Sequence, residues 1–432
     1  MSLPRYGEYK ESGVPWLGAI PSHWELHPTK RHFQRRKELN AGMACEYRLA
    51  LTMNGVVPRS LGDLDGLQSS DYEGYQLFEP GDLAFKLIDL QNIKTSRVGL
   101  VQERGIMSPA YIRLQPRRTT VPRYAYWYFM ALYWTQVFNS LGGGVRQTLG
   151  PEELLTVEYP VPTLFEQTAI AAFLDCETAK IDALITEQEK LIALLAEKRQ
   201  ATISHAVTRG LNPNAPMKDS GVAWLGEVPT HWDVGRLKRF SDVIDCKHYT
   251  VEFLDDGLPI ASIRELRDNR IDLTDANRTS PREWEYLREG RVPVPGDLVF
   301  CRNASVGAVG YVSDTTPSFC MGQDVCLIRP RTKSRFMYYQ LIASGTTRQI
   351  EALLVGATIR RANVAEIRNL VITWPLESEQ ICIAAFLDAE TEKLDTLRLK
   401  AERAVQLLME RRSALIVAAV TGQIDVRNQG KP

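Results

Sequence analysis

The sequence predicts an α+β fold in which two mixed α/β domains are separated by two long antiparallel coiled-coil helices and related by a pseudo-two-fold internal repeat. Two duplications predict this arrangement. A helical segment of more than forty residues occurs twice at a constant offset of 213 residues, and a short Trp-containing segment occurs twice at an offset of 208. The chain therefore runs as short segment, globular domain and helix, and then repeats all three.

The repeated helix begins with EQTAIAAFLDCETAKIDALI at Glu166 and with EQICIAAFLDAETEKLDTLR at Glu379. Two adjoining lines of mostly apolar residues, each with a seven-residue spacing, predict a coiled-coil seam. Roughly 40 residues at about 1.5 Å each make a rod about 60 Å long, which is suited to act as a spacer between domains. We expect the two helices to pack on each other. The first line is Leu174, Ile181, Gln188, Leu195 and Thr202, repeated as Leu387, Leu394, Ala401, Leu408 and Leu415; the second is Ile170, Leu184 and Leu191, repeated as Ile383, Leu397 and Ala404.

The second repeated segment precedes each domain and contains large apolar side chains. YKESGVPWLGAIPSHW (Tyr9 to Trp24) returns as MKDSGVAWLGEVPTHW (Met217 to Trp232). Gly, Pro and Ser predict turns, so we interpret each copy as a loop that docks onto a neighbouring surface. His23 and His231 recur beside a Trp, where a histidine is more often packed or hydrogen-bonded than metal-bound, and we predict no metal site. The predicted partner-docking residues are Trp16, Trp24, Trp224 and Trp232.

The two domains follow one plan, as a tandem duplication predicts. A Pro-Gly-Asp-Leu turn starts at Pro80 and again at Pro295, and each domain ends in a loop that carries Arg146 or Arg360. The segments between these features have diverged. The predicted boundaries are 1–165 for the first domain with its docking loop at 9–24, 166–213 for the first helix, 214–376 for the second domain with its docking loop at 217–232, and 377–432 for the second helix and the C-terminal tail.

Length and composition predict a globular protein. The 432 residues suffice for two or three domains, and an apolar content of 44% lets each bury a core. There is no apolar run of eighteen residues and no charged-then-apolar leader, so we expect neither a membrane span nor secretion. The seven cysteines include no Cys-x-x-Cys pair, which favours reduced thiols in a cytoplasmic protein.

Positive charge is concentrated in the two globular domains, outside the long helices, although the net charge of the chain is zero. Residues 30–150 contain 16 Lys and Arg against 10 Asp and Glu, and residues 235–373 contain 20 against 17. The helical copies are acidic, with 5 against 7 at 166–210 and 6 against 9 at 377–426. The surplus in the domains is a weak indication of nucleic-acid binding, and a solvated mixed-charge surface explains it about as well.

No catalytic motif is evident. The sequence has no phosphate-binding glycine loop, no zinc-protease or serine-hydrolase signature, and no Asn/Asp-Pro-Pro-aromatic motif of an amino-methyltransferase. Asp82 and Asp297 suggest a nuclease carboxylate, but neither is followed by a convincing Glu/Asp-x-Lys pair, and Asp in Pro-Gly-Asp usually caps its own turn. We therefore predict no catalytic residue in this chain.

The remaining chemistry is polar recognition of DNA. A domain that reads duplex DNA needs Lys or Arg on phosphates, and Arg, Asn or Gln at base edges. For any single candidate an ordinary surface charge remains an alternative. The candidates are Lys30, Arg31, Arg35, Arg36, Lys86, Asn92, Lys94, Arg97, Arg146 and Gln147 in the first domain, and Lys238, Arg239, Lys247, Arg264, Arg302, Asn303, Ser305, Arg360 and Arg361 in the second.

The duplicated order closely resembles the specificity subunit of type I restriction-modification systems. The resemblance covers nearly the whole chain and is carried by Trp16-Leu-Gly-Ala-Ile-Pro-Ser-His-Trp24, by the Pro-Gly-Asp-Leu turns, by Glu166-Gln-Thr-Ala-Ile-Ala-Ala-Phe-Leu-Asp175, and by their copies. It implies that two target-recognition domains each read one half of a bipartite, asymmetric target in double-stranded DNA. It also implies that the two helices fix the unread spacing between the halves.

The resemblance further implies a non-catalytic chain that works with partners. Two methyltransferase subunits are expected to dock on it and to use S-adenosylmethionine for adenine methylation. A restriction and translocase subunit is expected to use ATP and Mg²⁺ for translocation and cleavage. The alternatives from other functional classes are a stand-alone DNA nuclease and a scaffold protein without DNA binding.

Overall fold

The computed structural model describes residues 3–53, 55–60, 72–88, 90, 96–143, 148–267, 270–332, 335–354 and 361–428. The chain forms two compact units, one built from Met1–Glu189 with Arg403–Pro432 and the other from Lys190–Glu402. The boundary between the units falls inside each of two long helices. The predicted α+β fold class, with two mixed domains and two long helices, is confirmed.

The first unit contains two four-stranded sheets. One sheet has the order β4-β11-β8-β9 and is antiparallel throughout, whereas the other has the order β6-β5-β10-β7 and pairs β5 with β10 in parallel. Two-stranded ribbons join β1 to β2 and β3 to β12. The strands are β1 (Tyr9–Glu11), β2 (Ala19–Pro21), β3 (Glu25–Pro28), β4 (Phe33–Arg36), β5 (Arg48–Thr52), β6 (Gly55–Arg59), β7 (Gln76–Phe78), β8 (Leu83–Phe85), β9 (Val98–Leu100), β10 (Gly105–Met107), β11 (Ile112–Pro116) and β12 (Glu158–Val161); the helices are α1 (Pro122–Trp134), α2 (Val137–Leu141), α3 (Pro151–Thr156) and α4 (Leu164–Arg209).

The second unit repeats the antiparallel four-stranded sheet and both ribbons, whereas its second sheet has three strands. Its main sheet has the order β16-β24-β21-β22, and its second sheet has the order β20-β17-β23 with β17 and β23 parallel. The ribbons β13-β14 and β15-β25 correspond to those of the first unit, and β18 pairs with β19. The elements are β13 (Met217–Asp219), β14 (Glu227–Pro229), β15 (Asp233–Arg236), β16 (Ser241–Asp245), β17 (Leu258–Ala261), β18 (Leu266–Arg267), β19 (Arg270–Ile271), β20 (Arg278–Thr279), α5 (Pro281–Arg288), β21 (Leu298–Cys301), β22 (Val309–Tyr311), β23 (Cys320–Met321), β24 (Val325–Pro330), α6 (Phe336–Ile342), α7 (Ser344–Leu354), α8 (Val364–Arg368), β25 (Val371–Trp374) and α9 (Glu377–Val420).

The Pro-Gly-Asp turns directly precede β8 and β21. We call β8 and β21 the central strands of the two antiparallel four-stranded sheets, β4-β11-β8-β9 and β16-β24-β21-β22. Gly81 has a φ of 92°, a conformation that glycine adopts at little cost. Asp82 caps the turn by accepting a hydrogen bond from the Glu79 N–H (2.8 Å), and it also accepts one from Arg113 Nε (2.6 Å). Asp297 repeats both roles in the second unit, with the Val294 N–H and Arg329. Both carboxylates are buried, so the Pro-Gly-Asp motif fixes the turn and the core of the sheet.

Each unit packs the start of one long helix against the end of the other. In the first unit, Ile170 and Leu174 of α4 share a core with Ile416 and Val420 of α9. In the second unit, Val207 near the end of α4 shares a core with residues at the start of α9. Within each unit the two helical segments therefore run antiparallel.

An ion pair between the long helices is repeated at equivalent positions. Arg412 Nε lies 2.8 Å from Asp182 Oδ1 in the first unit, and Arg199 Nε lies 3.1 Å from Asp395 Oδ1 in the second. Arg199 and Asp182 correspond to Arg412 and Asp395 at the offset of the helical repeat, 213 residues. The helical duplication therefore extends to the individual contacts of the helix pair.

The predicted two-line seam is wrong in the middle of the helices. The first line is buried at Leu174, Ile181 and Leu195, which are 0, 5 and 8% exposed. The second line leaves Leu184, Leu191 and Leu397 exposed at 52, 42 and 48%. A helix pair buries one stripe of each helix, and residues on the adjoining line turn away from that stripe. Their apolar side chains lie open on the surface of this chain.

Within the described ranges, no helix combines the length and the apolar composition that crossing a bilayer requires.

Candidate nucleic-acid interface

The glutamate near the start of each long helix binds the docking loop of the same unit. Glu166 Oε1 accepts hydrogen bonds from His23 Nε2 (2.8 Å) and Trp24 Nε1 (3.4 Å). In the second unit, Glu379 Oε2 accepts hydrogen bonds from His231 Nε2 (2.8 Å) and Trp232 Nε1 (3.0 Å). We call these the first and second Glu–His–Trp clusters. The two repeated sequence motifs supply complementary parts of the cluster, which explains why they are duplicated together.

The tryptophan of each cluster also packs against the glycine that ends a long helix. Gly422 and Gly210 have φ values of 74° and 75°. An added Cβ would lie 3.1 Å from the Trp24 ring at Gly422 and 3.2 Å from the Trp232 ring at Gly210. Each docking loop therefore joins the beginning of one helix to the end of the other within its unit.

An aspartate at the same position of each helical repeat bonds to the domain that precedes the helix. Asp175 Oδ1 accepts a hydrogen bond from Arg123 Nε of α1 (2.7 Å). At the equivalent position, Asp388 Oδ1 lies 2.8 Å from Arg335 Nη1 and accepts a hydrogen bond from Tyr339 Oη of α6 (2.6 Å). Together with the Glu–His–Trp clusters, these contacts attach each domain to its helix at several points.

The predicted partner-docking tryptophans have different environments. Trp24 and Trp232 are buried inside their own units and are 0% exposed. Trp16 donates a hydrogen bond from Nε1 to Tyr128 Oη (3.3 Å), whereas Trp224 is 36% exposed. Contacts within the chain account for the repeat of Trp24 and Trp232, and the docking of a partner on these loops stays a prediction.

In the first unit, only part of the predicted DNA-contacting set gathers at one place. Arg35 and Arg36 are exposed at the end of β4, with β11 between them and β8, while Lys30 and Arg31 lie in an exposed turn at the other end of β4. Lys86 is half-buried, and Arg97 is 1% exposed and donates a hydrogen bond to the Ile88 carbonyl (3.1 Å). The predicted residues Asn92, Lys94, Arg146 and Gln147 lie outside the described residues.

A cavity of about 300 Å³ opens beside Arg35 and Arg36. Cations line one side of this cavity and apolar side chains line the other. Lys37, which the sequence reasoning missed, adds a third cation to this rim; its position directly after two arginines was the available signal. The lining includes Arg35, Arg36 and Lys37 on one side and Leu87, Ile88, Tyr111 and Leu149 on the other.

In the second unit, Asn303, Ser305 and Arg361 gather at the corresponding strand end. Asn303 and Ser305 follow β21. The backbone of Asn303 forms an isolated antiparallel β-bridge with Arg361, in the chain that returns from the end of the domain. Arg302 precedes them but is 3% exposed, and its Nη1 donates a hydrogen bond to Asp245 (2.6 Å). The Arg302 guanidinium therefore supports the sheet rather than facing solvent.

The other predicted residues of the second unit lie elsewhere. Lys238 and Arg239 are in an exposed turn before β16, at the end opposite Asp245. Lys247 forms an ion pair with Glu289 (2.6 Å), and Arg264 donates a hydrogen bond to Asn277 (2.7 Å). Arg360 lies outside the described residues.

Equivalent backbone hydrogen bonds identify the same place in both units. The Leu149 N–H donates to the Leu87 carbonyl (2.9 Å), and the Ala362 N–H donates to the Arg302 carbonyl (2.8 Å). Each bond joins the end of the central strand to the residue that follows the loop carrying Arg146 or Arg360. The two units therefore place unlike residues, such as Ile88 and Asn303, at one matching strand end.

One group of possible metal ligands occurs among the described residues, at Asp245, Cys246 and His248. Burial raises the pKa of the Cys246 thiol to about 11, and the thiol donates a hydrogen bond to the Gln323 carbonyl (2.9 Å). A thiol must be deprotonated to bind a metal, and Asp245 already pairs with Arg302. These side chains are engaged with the protein itself.

Comparison with known proteins identifies a matching family model and a relative of similar length. The family model "Type I restriction modification DNA specificity domain" matches residues 229–403. The type I restriction enzyme MjaVIII specificity subunit of Methanocaldococcus jannaschii is 21% identical over 334 residues, which cover 76% of this chain and 76% of that one.

Two solved structures share the fold. One, described as showing complex assembly and conformational transition of the type I R-M system, has a TM-score of 0.71 at 16% identity and covers 93% of this chain and 98% of its own. The HsdS subunit of Thermoanaerobacter tengcongensis has a TM-score of 0.55 at 17% identity and covers 95% of this chain and 99% of its own.

The substitution Glu166→Gln tests the first Glu–His–Trp cluster. Burial alone would raise the pKa of Glu166, but hydrogen bonds from His23 and Thr163 outweigh it and leave the pKa below its ordinary value of 4.5. The stabilisation from the carboxylate is therefore complete at neutral pH and is lost as the pH falls below 4.5, through the folded pKa. We expect Glu166→Gln to cost about 1–2 kcal/mol at pH 7.

Thermal unfolding across a pH series measures this effect. The difference between Glu166→Gln and the unchanged protein should shrink as the pH falls below 4.5. Glu197→Gln, at an exposed position of α4, is the matched control and should leave the melting temperature unchanged. A pH-independent difference would show that the carboxylate charge does not contribute.

Proposed function

We propose that this chain, which belongs to the family of type I restriction-modification specificity subunits, recognises a bipartite asymmetric target in double-stranded DNA. The family was predicted from the two repeats and is confirmed by the family model and the relative of similar length. In this proposal each unit reads one half of the target at its strand end. The two long helices set the unread spacing between the halves.

The observation that carries this proposal is one scaffold built twice with different residues at the same strand end. The first unit presents Ile88 beside cations, whereas the second presents Asn303 and Ser305 beside Arg361. Phosphate contacts position a protein on DNA, and side chains at base edges provide sequence specificity. Two matched sites with unlike side chains suit two unlike half-sites.

The proposed partners include two methyltransferase subunits. Leu184 and Leu194 of α4 are 52 and 61% exposed, and their equivalents Leu397 and Leu407 of α9 are both 48% exposed. Apolar side chains that remain exposed at equivalent positions suit two copies of one partner surface. The partners would use S-adenosylmethionine for methylation, and a restriction and translocase subunit would use ATP and Mg²⁺. This chain itself would need no cofactor and perform no chemistry.

Neither alternative function has a supporting observation. A nuclease would need an open carboxylate, but Asp82 and Asp297 are each 1% exposed and paired with arginine. A scaffold without DNA binding would not require exposed cations beside two matched strand ends. We propose the cytoplasm as the location, where all seven cysteines, which are unpaired here, stay reduced.

Lengthening both long helices tests the proposed spacing function. We expect a seven-residue insertion after Glu189 together with one after Glu402 to preserve the helical register. Each insertion adds about 10 Å of helix, which is about three base pairs of duplex. The methylated target should keep both half-sites and gain about three unread base pairs.

Methylation of a randomised-spacer library by the complex with its methyltransferase measures this change. The matched control is a seven-residue Gly-Ser insertion after Asn212, between α4 and the second docking loop, which should leave the spacing unchanged. A changed half-site sequence, or an unchanged spacing with the helix insertions, would contradict the assignment of the helices as the spacer.

The double substitution Arg35→Ala with Arg36→Ala tests the proposed DNA contact of the first unit. If both side chains contact phosphate, duplex affinity should fall, and the slope of log affinity against log salt should decrease by about 1.8. Fluorescence anisotropy over a salt series measures both. Arg403→Ala with Arg411→Ala removes the same charge from exposed positions on α9 and should leave the slope unchanged. Equal effects of the two double variants would indicate a general effect of charge.

A further inference from the structure

The turn that follows β21 combines a strained backbone with a fixed amide side chain. Ala304 has a φ of 54°, in the left-handed region that residues other than glycine rarely adopt. Such strain persists only where the surroundings enforce it, and it is concentrated at functional sites. Here Ala304 and Ser305 are exposed, so the strain does not serve the burial of an apolar side chain.

Hydrogen bonds determine the orientation of the Asn303 amide. Its Oδ1 accepts a hydrogen bond from the Ala304 N–H (3.0 Å), and its Nδ2 donates to Asp324 Oδ1 (3.0 Å). Asp324 is itself held because its carbonyl accepts a hydrogen bond from the Arg302 N–H (2.9 Å). Among the residues that the structure describes, no other group bonds to this amide, so the half-buried Asn303 side chain has one amide hydrogen and one carbonyl lone pair left to offer.

We propose that Asn303 is a base-reading, specificity-determining residue for the second half-site and that Asp324 is its positioning residue. This inference rests on the proposed function and deepens it. An asparagine amide pairs with adenine through one donated and one accepted hydrogen bond at the major-groove edge. The uncommitted hydrogen and lone pair of Asn303 match that requirement, so the expected base is adenine.

The surrounding charges favour a base edge over a phosphate at this position. The Asp324 carboxylate beside Asn303 repels a phosphate, whereas it is compatible with the amino group of a base. Arg361 is exposed, and its backbone forms a β-bridge with that of Asn303. Arg361 therefore supplies the neighbouring positive charge for the DNA backbone. The corresponding position in the first unit is Ile88, 40% exposed, which offers an apolar contact instead. Different base preferences in the two half-sites follow from this difference.

The exchange Asn303→Asp with Asp324→Asn tests the proposal. The exchange keeps the net charge, the acceptor for the Ala304 N–H and a hydrogen bond between positions 303 and 324, with donor and acceptor reversed. It changes the group that position 303 presents to DNA from an amide to a carboxylate, which accepts a hydrogen bond from cytosine. We expect preference at one position of the second half-site to change from adenine to cytosine by about tenfold.

The full chain in complex with its methyltransferase is assayed on a duplex library randomised in the second half-site. The unread spacer and the first half-site, which should not change, are internal controls. Asp314→Asn alters an exposed carboxylate at the opposite end of the β21-β22 hairpin and should leave the whole motif unchanged. An exchanged variant that methylates the original motif with unaltered preference would overturn the proposal.

A loss of all methylation by the exchanged variant is resolved by binding selection on the same library. Recovery of an altered second half-site supports the role of Asn303, and recovery of the original one overturns it. Co-purification with the methyltransferase and an unchanged melting temperature establish that the variant is folded. If the unsubstituted chain selects no bipartite motif, the proposed function is wrong. If it selects one and the exchange leaves the second half-site unaltered, only the assignment of Asn303 is wrong.

Discussion

The carboxylate near the start of each long helix, which binds the His and Trp of the docking loop, is the interaction on which the rest of the structure depends. Glu166 is 2% exposed and is stabilised there by donors from the docking loop and from its own helix start. Burying a charge costs free energy unless the charged group is fully hydrogen-bonded. If the docking loop detached, the Glu166 carboxylate would become exposed to solvent or would remain buried without these hydrogen bonds. Glu379 accepts the same two hydrogen bonds from His231 and Trp232 in the second unit, although its side chain is 29% exposed.

This constraint explains which parts of the chain are repeated and which have diverged. The Glu–His–Trp clusters, the aspartates that bind α1 and α6, and the turns at Asp82 and Asp297 all require specific donors and acceptors. At the strand ends, backbone hydrogen bonds to Leu87 and Arg302 hold the returning chain, and the exposed side chains that follow, such as Ile88 and Ser305, take no part in them. Side chains can therefore change at the strand ends without loss of the scaffold, which is what a protein that reads variable DNA sequences requires.

The sequence was sufficient to predict the duplicated order, the long helices and the turn role of Asp82, because these depend on local patterns and constant offsets. It did not predict that Leu184 and Leu397 are exposed, since the seven-residue spacing gives the period of a helix but not which stripe faces its partner. Sequence reasoning also treated Arg97 and Arg302 as DNA contacts, although both are buried, because residue type and position after a strand do not specify side-chain burial. The pairing of His23 with Glu166 joins residues 143 positions apart and is visible only in three dimensions.

Adenine methylation mapped across the genome of a cell that expresses this chain with its methyltransferase tests the central claim most directly. Two unlike reading sites on a duplicated scaffold predict modification at one motif with two different specified halves and a fixed unread spacer. A continuous motif, a palindromic motif, or a methylation pattern that is the same without this chain would contradict the account.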